Sequence, residues 1–283
     1  MSPRQLTSRL INEVQQAVTT FQPTRSETDR EQLGALAKAV LASVDVRDLR
    51  GIPSTRLVSQ LEHLLALIER RKHGEIKINL RYQDDTDTLV IETCVEDQPF
   101  LVSTLRAVLA SEHYDVRRFV NAIVTVRRDP SGKLVSIGSG ASESVMRVEL
   151  SLAGGSAGRD GGGIPQGLEA RIRDRLRLAQ AMVADFDKMG ERIRSVANGY
   201  FAAASDRHGA VASDLLEGEE LLRWLCDENY VFFAVESYDK DGELVELLGT
   251  SRIQAPRRDH GFLVAAAKGE GRLVRFQRSP DES

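Results

Sequence analysis

Residues 88–128, TLVIETCVEDQPFLVSTLRAVLASEHYDVRRFVNAIVTVRR, decide the fold. The pattern predicts a strand over Leu89 to Val95, an acidic turn at Glu96-Asp97-Gln98, a helix opening at Pro99, and a second strand over Arg118 to Arg128. Proline at the first helical position gives up no hydrogen bond, because that N–H has no intrahelical partner, and Asp97 or Gln98 is placed to cap the exposed donors. Leu101, Leu105 and Val108, with Val102 and Leu109 beside them, make one face of the helix apolar, so that face must lie on a sheet. Arg128-Asp129-Pro130-Ser131-Gly132-Lys133 has the turn chemistry to fold the second strand back on Leu134 to Ile137. A further strand, Val145 to Leu152, alternates: Met146, Val148, Leu150 and Leu152 point one way, and Arg147, Glu149 and Ser151 the other. The order is β-α-β-β, and a long helix follows.

Working outward, residues 1–75 read as helices. Leu6, Leu10, Val14, Ala17 and Phe21 mark the first, Leu33, Leu36, Val40 and Val44 the second, and Leu57, Leu61, Leu64, Leu65 and Ile68 the third. Arg70-Arg71-Lys72 closes the third helix, where a favourable interaction with the C-terminal dipole accounts for a basic run more simply than a phosphate site does. A strand at Ile76 to Tyr82 opens the module 76–152. The glycine-rich stretch 153–163 reads as a linker. Over 164–204 the spacing predicts one long helix with a narrow seam through Leu168, Ile172, Leu176, Ala179, Val183 and Phe186, suited either to packing on the N-terminal helices or to pairing with a second copy. Residues 205–283 read as a second, partial α/β module: a helix over Glu219 to Asp227, a strand over Val231 to Tyr238, a turn at Asp239 to Gly242, and strands near Leu244 to Leu248, Phe262 to Ala267 and Leu273 to Phe276.

At 283 residues the chain is long enough for two modest domains. A net charge of −4 and a pI near 5.8, with no segment that gathers Lys and Arg apart from acids, lack the footprint of a nucleic-acid binder. No apolar run of spanning length or signal core occurs, so no membrane partner is expected and the protein reads as soluble and cytoplasmic. Cys94 and Cys226 have no second Cys or His at ligand spacing; both read as reduced core thiols, and no metal site is expected.

No catalytic constellation emerges. Gly138-Ser139-Gly140-Ala141-Ser142-Glu143 begins like a dinucleotide loop, but Glu143 stands at the third glycine position and a strand follows, so it reads as a hairpin connection. The five histidines are scattered, and paired acids such as Asp84-Asp85 sit at turns where capping accounts for them. One place has a physical rationale for binding. The strand-to-helix turn of Glu96, Asp97, Gln98, Pro99 and Phe100 offers free backbone N–H groups and a positive dipole end to a carboxylate or phosphate, although Glu96 and Asp97 already supply negative charge there.

Five motifs occur in order: Glu96 to Val102; Val126 to Asp129 with Gly132; Glu143-Ser144 before Met146 to Glu149; Leu222 to Asp227; and Tyr230 to Phe232 with Tyr238-Asp239. Together they resemble the N-terminal region of the large bacterial NAD-specific glutamate dehydrogenases, over about residues 80–280. The resemblance implies an α+β fold: N-terminal helices, an ACT-like (ferredoxin-like βαββαβ) module at 76–152 with its long helix, and a second partial ACT-like module. It implies a regulatory or assembly role in amino-acid metabolism, with NAD as cofactor of the full-length enzyme and none in this chain. The implied partners are an attached catalytic domain or further copies, and a free amino acid as a possible ligand. This sequence departs from the family where Asn121-Ala122 replaces His-Pro, and where the Gln98-Pro99-Phe100 turn lacks the glycine that lets a backbone approach a ligand closely. Two other readings stay open: a stand-alone amino-acid-sensing module and a dimerisation scaffold.

Overall fold

The computed structural model describes residues 9, 12–14, 16–17, 26–44, 52–83, 87–151, 164–239, 241 and 243–254, together with strands 261–265 and 273–277. The glycine-rich linker expected at 153–163 lies outside the described residues, as does most of the first expected helix. Arg9, Asn12, Glu13, Val14, Gln16 and Ala17 of that helix are helical, with Val14 and Ala17 buried. The chain forms two compact units, Met1–Leu176 and Arg177–Ser283.

The first unit is α+β. Two helices, α1 (Glu27–Ser43) and α2 (Ser54–Ile68), precede strands β1 (Lys77–Gln83) and β2 (Thr88–Glu96), helix α3 (Leu101–Ser111), strands β3 (Asp115–Arg128), β4 (Leu134–Ile137) and β5 (Ala141–Ser151), and the start of α4 (Leu168–Ala184). Ser26 caps α1 by accepting a hydrogen bond from the Asp29 N–H at 3.1 Å. The five strands lie in the order β1-β2-β5-β3-β4, every pairing antiparallel. In a β-α-β-β-α-β unit the place beside the first strand is taken by the strand that follows the second helix. Here β1, which precedes the unit, takes it, and among the described residues no strand after α4 is part of this sheet.

Both faces of the sheet are covered. On one, Leu89, Ile91 and Val95 of β2 and Met146, Val148 and Leu150 of β5 pack against Leu101, Leu105 and Leu109 of α3 and Leu168, Ile172 and Leu176 of α4. The front of the expected seam is therefore spent on the sheet, and Ile172, with no exposure at all, is closed to a second copy. On the other face α1 and α2 cover Cys94, Val120, Ala122, Val124, Val126 and Val145. The polar side of β5 is thus buried as well: Glu143, Arg147, Glu149 and Ser151 are all out of solvent.

Burial of those charges is possible because they answer one another. The Glu143 carboxylate, 1% exposed, accepts from Arg71 Nη2 at 2.8 Å, from Arg128 Nε and Nη2 at 2.7 Å each, and from the Cys94 thiol at 3.0 Å. The Arg71 guanidinium also donates to the carbonyls of Lys72 and Glu75, and Arg128 to that of Gly132. The backbone joins at the same place: Arg71 N–H donates to Gly132 O at 2.9 Å and Leu134 N–H to Glu69 O at 2.8 Å. Arg71 is thus an internal ion-pair partner, a role that the helix dipole reading of the basic run did not provide. Gly132, at φ +85°, admits no Cβ, which would stand 2.6 Å from Arg71 O. Burial raises the Glu143 carboxyl, but the bonds from Arg128, Arg71 and Cys94 outweigh it and hold the group down at about 2. Burial first, and then the Glu143 charge, push the Cys94 thiol well up, so it keeps its proton and donates.

In the second unit, α5 (Phe186–Ser205), α6 (Ala210–Trp224) and a π-helical turn at Leu225–Asn229 accompany the sheet β7-β6-β9-β8, formed by β6 (Ala234–Tyr238), β7 (Leu244–Gly249), β8 (Gly261–Ala265) and β9 (Leu273–Gln277). Met189, Ile193, Leu222, Phe232, Val235 and Leu248 form its core. The single long helix expected at 164–204 is two, interrupted at Asp185, whose carboxylate turns away to accept from Gly249 N–H and Arg252 Nη1, both at 2.9 Å. Strand β6 begins at Ala234, three residues later than expected, and the Thr250 N–H donates to Phe233 O at 2.8 Å, which continues its pairing with β7 one residue before the strand.

Two predictions follow from the Glu143 cluster. Glu143→Gln leaves one buried and one half-buried guanidinium group uncompensated and is expected to cost about 3–5 kcal/mol at pH 7 by urea unfolding. Because the folded carboxyl sits at about 2, below its ordinary 4.5, its stabilisation is complete above the ordinary value and is lost as pH falls toward 2. Wild-type stability should therefore drop by up to about 3 kcal/mol across that window, and the Gln variant should lack that component. Gly132→Ala should cost about 1–3 kcal/mol through the strained backbone at the same joint.

Candidate functional site

The turn singled out from sequence lies between β2 and α3. Glu96 ends β2 opposite Glu143 of β5, and its carboxylate is 3.4 Å from the exposed His73 Nδ1. The Asp97 N–H donates to Ser142 O at 3.0 Å, which continues the sheet one residue past the strand. Helix α3 begins at Leu101 rather than Pro99, so the cap position falls on Phe100, which has no side-chain oxygen to offer; neither Asp97 nor Gln98 caps the helix. Pro99 stands in the turn before it. The structure thus gathers Glu96 to Phe100 at one helix end and leaves the first turn of α3 without a side-chain cap.

Phe100 adopts φ +70°, ψ −2°, the left-handed region that an L side chain enters at a cost of about 1–2 kcal/mol. The backbone thus takes the shape that a glycine would give it, with a 40% exposed aromatic ring attached where a glycine would leave the approach to the helix end clear. Its carbonyl accepts from Thr104 N–H at 2.9 Å and Ser103 Oγ at 3.0 Å. Gln98 Nε2 is buried and has no hydrogen-bond acceptor among the described residues.

Two cavities lie elsewhere in the first unit. A cleft of about 360 Å³ runs along β1 and is lined by Ile78, Asn79 and Leu80 with Ile164, Pro165 and Gly167. A smaller one of about 30 Å³ lies between α1, α2 and the sheet. Neither includes any of Glu96 to Phe100. Among the described residues no cluster of three or more His, Cys, Asp or Glu side chains is arranged to hold a metal, and Cys94 and Cys226 are both free thiols. No helix among them is long and apolar enough to cross a membrane. What sequence reasoning missed is the pairing of Arg147 with Glu92 and Glu149 beside α1 and α2; the charged residues Glu143, Arg147 and Glu149 on one side of a strand whose other side is apolar were the signal.

Phe100→Gly should relieve the left-handed strain, about 1–2 kcal/mol, against about 0.5–1 kcal/mol of added chain entropy. The expected result is a thermal midpoint raised by about 1–4 °C.

The geometry can be set beside known proteins. A model of the glutamate dehydrogenase ACT1 domain matches residues 36–160, the stretch that holds α2, the five-stranded sheet and α3. The NAD-specific glutamate dehydrogenase of Halomonas elongata is 27% identical over 151 residues, which are 51% of this chain and 9% of that protein. That of Pseudomonas aeruginosa is 27% identical over 155 residues, 52% of this chain and 9% of that protein. The matched stretch is thus less than a tenth of the length of either relative. Over residues 36–160 the chain is thus similar to the ACT1 domain of glutamate dehydrogenase, and over about half of its length to these two NAD-specific glutamate dehydrogenases.

Proposed function

We propose that this chain is a non-catalytic regulatory and assembly region of an NAD-dependent glutamate dehydrogenase, working in the cytoplasm with an attached catalytic domain or within a homo-oligomer. The observation that carries this reading is the ACT1 match over 36–160, which coincides with the sheet-centred body of the first unit. NAD belongs, on this reading, to the catalytic part of the enzyme.

Assembly is favoured over ligand sensing by two features. Strand β1 is an edge of the five-stranded sheet and presents a row of seven half-buried residues beside the 360 Å³ cleft, a form suited to pairing with further polypeptide. The Phe100 ring and the Glu96 and Asp97 carboxylates stand at the start of α3, where an amino-acid carboxylate would have to come close. The sensing alternative draws on the uncapped α3 terminus and the Gln98 amide without an acceptor; on it, Glu96 to Phe100 contact a free amino acid.

The test is made on the purified chain. With glutamate and NAD it should give no NADH above a no-enzyme control; NADH formation would overturn the non-catalytic reading. Thermal unfolding against free amino acids at high concentration separates the rest. Sensing requires a midpoint rise with one of them, about 2.7 kcal/mol at a hundredfold excess over Kd, and its loss in Gln98→Leu. Assembly requires no such rise and a solution mass above that of one chain.

A further inference from the structure

We propose that the cavity between α1, α2 and the sheet binds a small monovalent anion, chloride or the carboxylate head of a short aliphatic acid, through Arg147 and Arg118. The argument starts from charge. Arg147 Nη1 donates to Glu92, and Arg147 Nη2 donates to Glu149 Oε1 at 3.2 Å. Arg118 Nη1 meets Glu149 Oε2 at 2.9 Å, and Arg81 Nη2 stands 3.5 Å from Glu92 Oε1. Asn79 and Gln60, both neutral, complete the partners of the two carboxylates. Three guanidinium groups thus share two carboxylates, so this set of five side chains carries one positive charge more than it has negative ones.

That surplus is held where water screens it poorly. The Glu92 side chain is fully buried and that of Arg147 is 4% exposed. Arg147 Nε is itself buried and has no acceptor, although a guanidinium N–H out of water requires one. The same Arg147 lines a cavity of about 30 Å³, together with Arg118, Gln60 and the apolar side chains of Val40, Leu57, Leu61 and Val120. A cationic N–H without an acceptor, on a side chain that lines a mostly apolar space, is the arrangement that an anion completes. Water would satisfy the N–H and leave the charge, whereas a cation would add to the surplus. The volume, room for a water molecule or two, admits chloride or a carboxylate head and excludes sulfate and phosphate. The methyl group of acetate would lie among the leucine and valine side chains.

The test is thermal unfolding of the full chain in a halide-free buffer, titrated with sodium chloride, sodium acetate or sodium sulfate at matched ionic strength. Two variants are run beside the wild type. Val40→Ile adds one methylene to the cavity wall and leaves every charge in place, while Arg118→Met removes the surplus charge. General salt effects act on all three proteins alike, so the quantity read is the excess midpoint rise of the wild type over each variant. It should grow with chloride or acetate to at least about 4 °C at a hundredfold excess over Kd, and stay flat with sulfate. A larger excess with acetate assigns the carboxylate source, and a larger one with chloride the halide. Should neither variant fold, broadening of the chlorine-35 resonance by the wild type, reversed by excess acetate, supports the site. Equal responses of wild type and variants to all three salts, or the absence of both chloride broadening and any acetate-dependent midpoint, overturns it.

Discussion

A buried carboxylate between one buried and one half-buried guanidinium group is the constraint on which the first unit depends. Glu143 comes from β5, Arg128 from the end of β3, Arg71 from the segment leaving α2, and the Cys94 thiol from β2, so one side chain holds four separate stretches of chain. A hydrophobic contact in that place would tolerate sliding, whereas the paired donors of Arg128 on both oxygens of Glu143 permit one geometry. The α2-to-β1 passage is thereby seated on the β3–β4 hairpin, and the Arg71 to Gly132 and Glu69 to Leu134 backbone bonds follow from it. The N-terminal helices are thus bound to the sheet by direction as well as by area.

That attachment explains the topology. Because β1 lies directly after the Arg71 anchor and pairs with β2 from Lys77↔Cys94 to Gln83↔Thr88, the outer place of the sheet is filled before the chain reaches the module's own first helix. The chain after α4 is then released from closing this sheet, and it goes on to the second unit. The two faces are sealed by different means. On the α3 side aliphatic side chains meet aliphatic side chains, and on the α1–α2 side the apolar contacts surround two chains of ion pairs, one through Glu143 and one through Glu92 and Glu149.

The parts legible in the sequence were those governed by local periodicity. Leu33, Leu36 and Val40, Leu57, Leu61 and Leu64, and Leu101, Leu105 and Leu109 mark helices whose buried faces are those residues, and the alternation of β5 gave its two sides. What was not legible depends on partners distant in sequence. Arg71 and Glu143 are 72 residues apart, so neither the basic run nor the failed dinucleotide loop showed its use. Before the later start of α3 the Asp97 N–H is paired with Ser142 O, and at the Asp185 junction between the two helices the carboxylate is taken by Gly249 and Arg252. At the candidate turn the residues were found and the acidic pair noted, but the left-handed Phe100 is a backbone fact that no side-chain pattern encodes.

With both faces of the sheet covered, what remains for recognition in the first unit is its edges. The β4 edge is short, four residues, and Gln32 of α1 already reaches it, donating to Val135 O at 3.3 Å. Strand β1 is longer, seven residues, and its side chains are neither buried nor fully exposed. A strand in that condition is kept from indiscriminate pairing by charge, and Lys77 supplies it, Arg81 being turned to Glu92. In the assembly proposed above, a partner strand at β1 would be selected by backbone geometry and by an acid opposite Lys77, which is what an edge buried only in the correct complex requires.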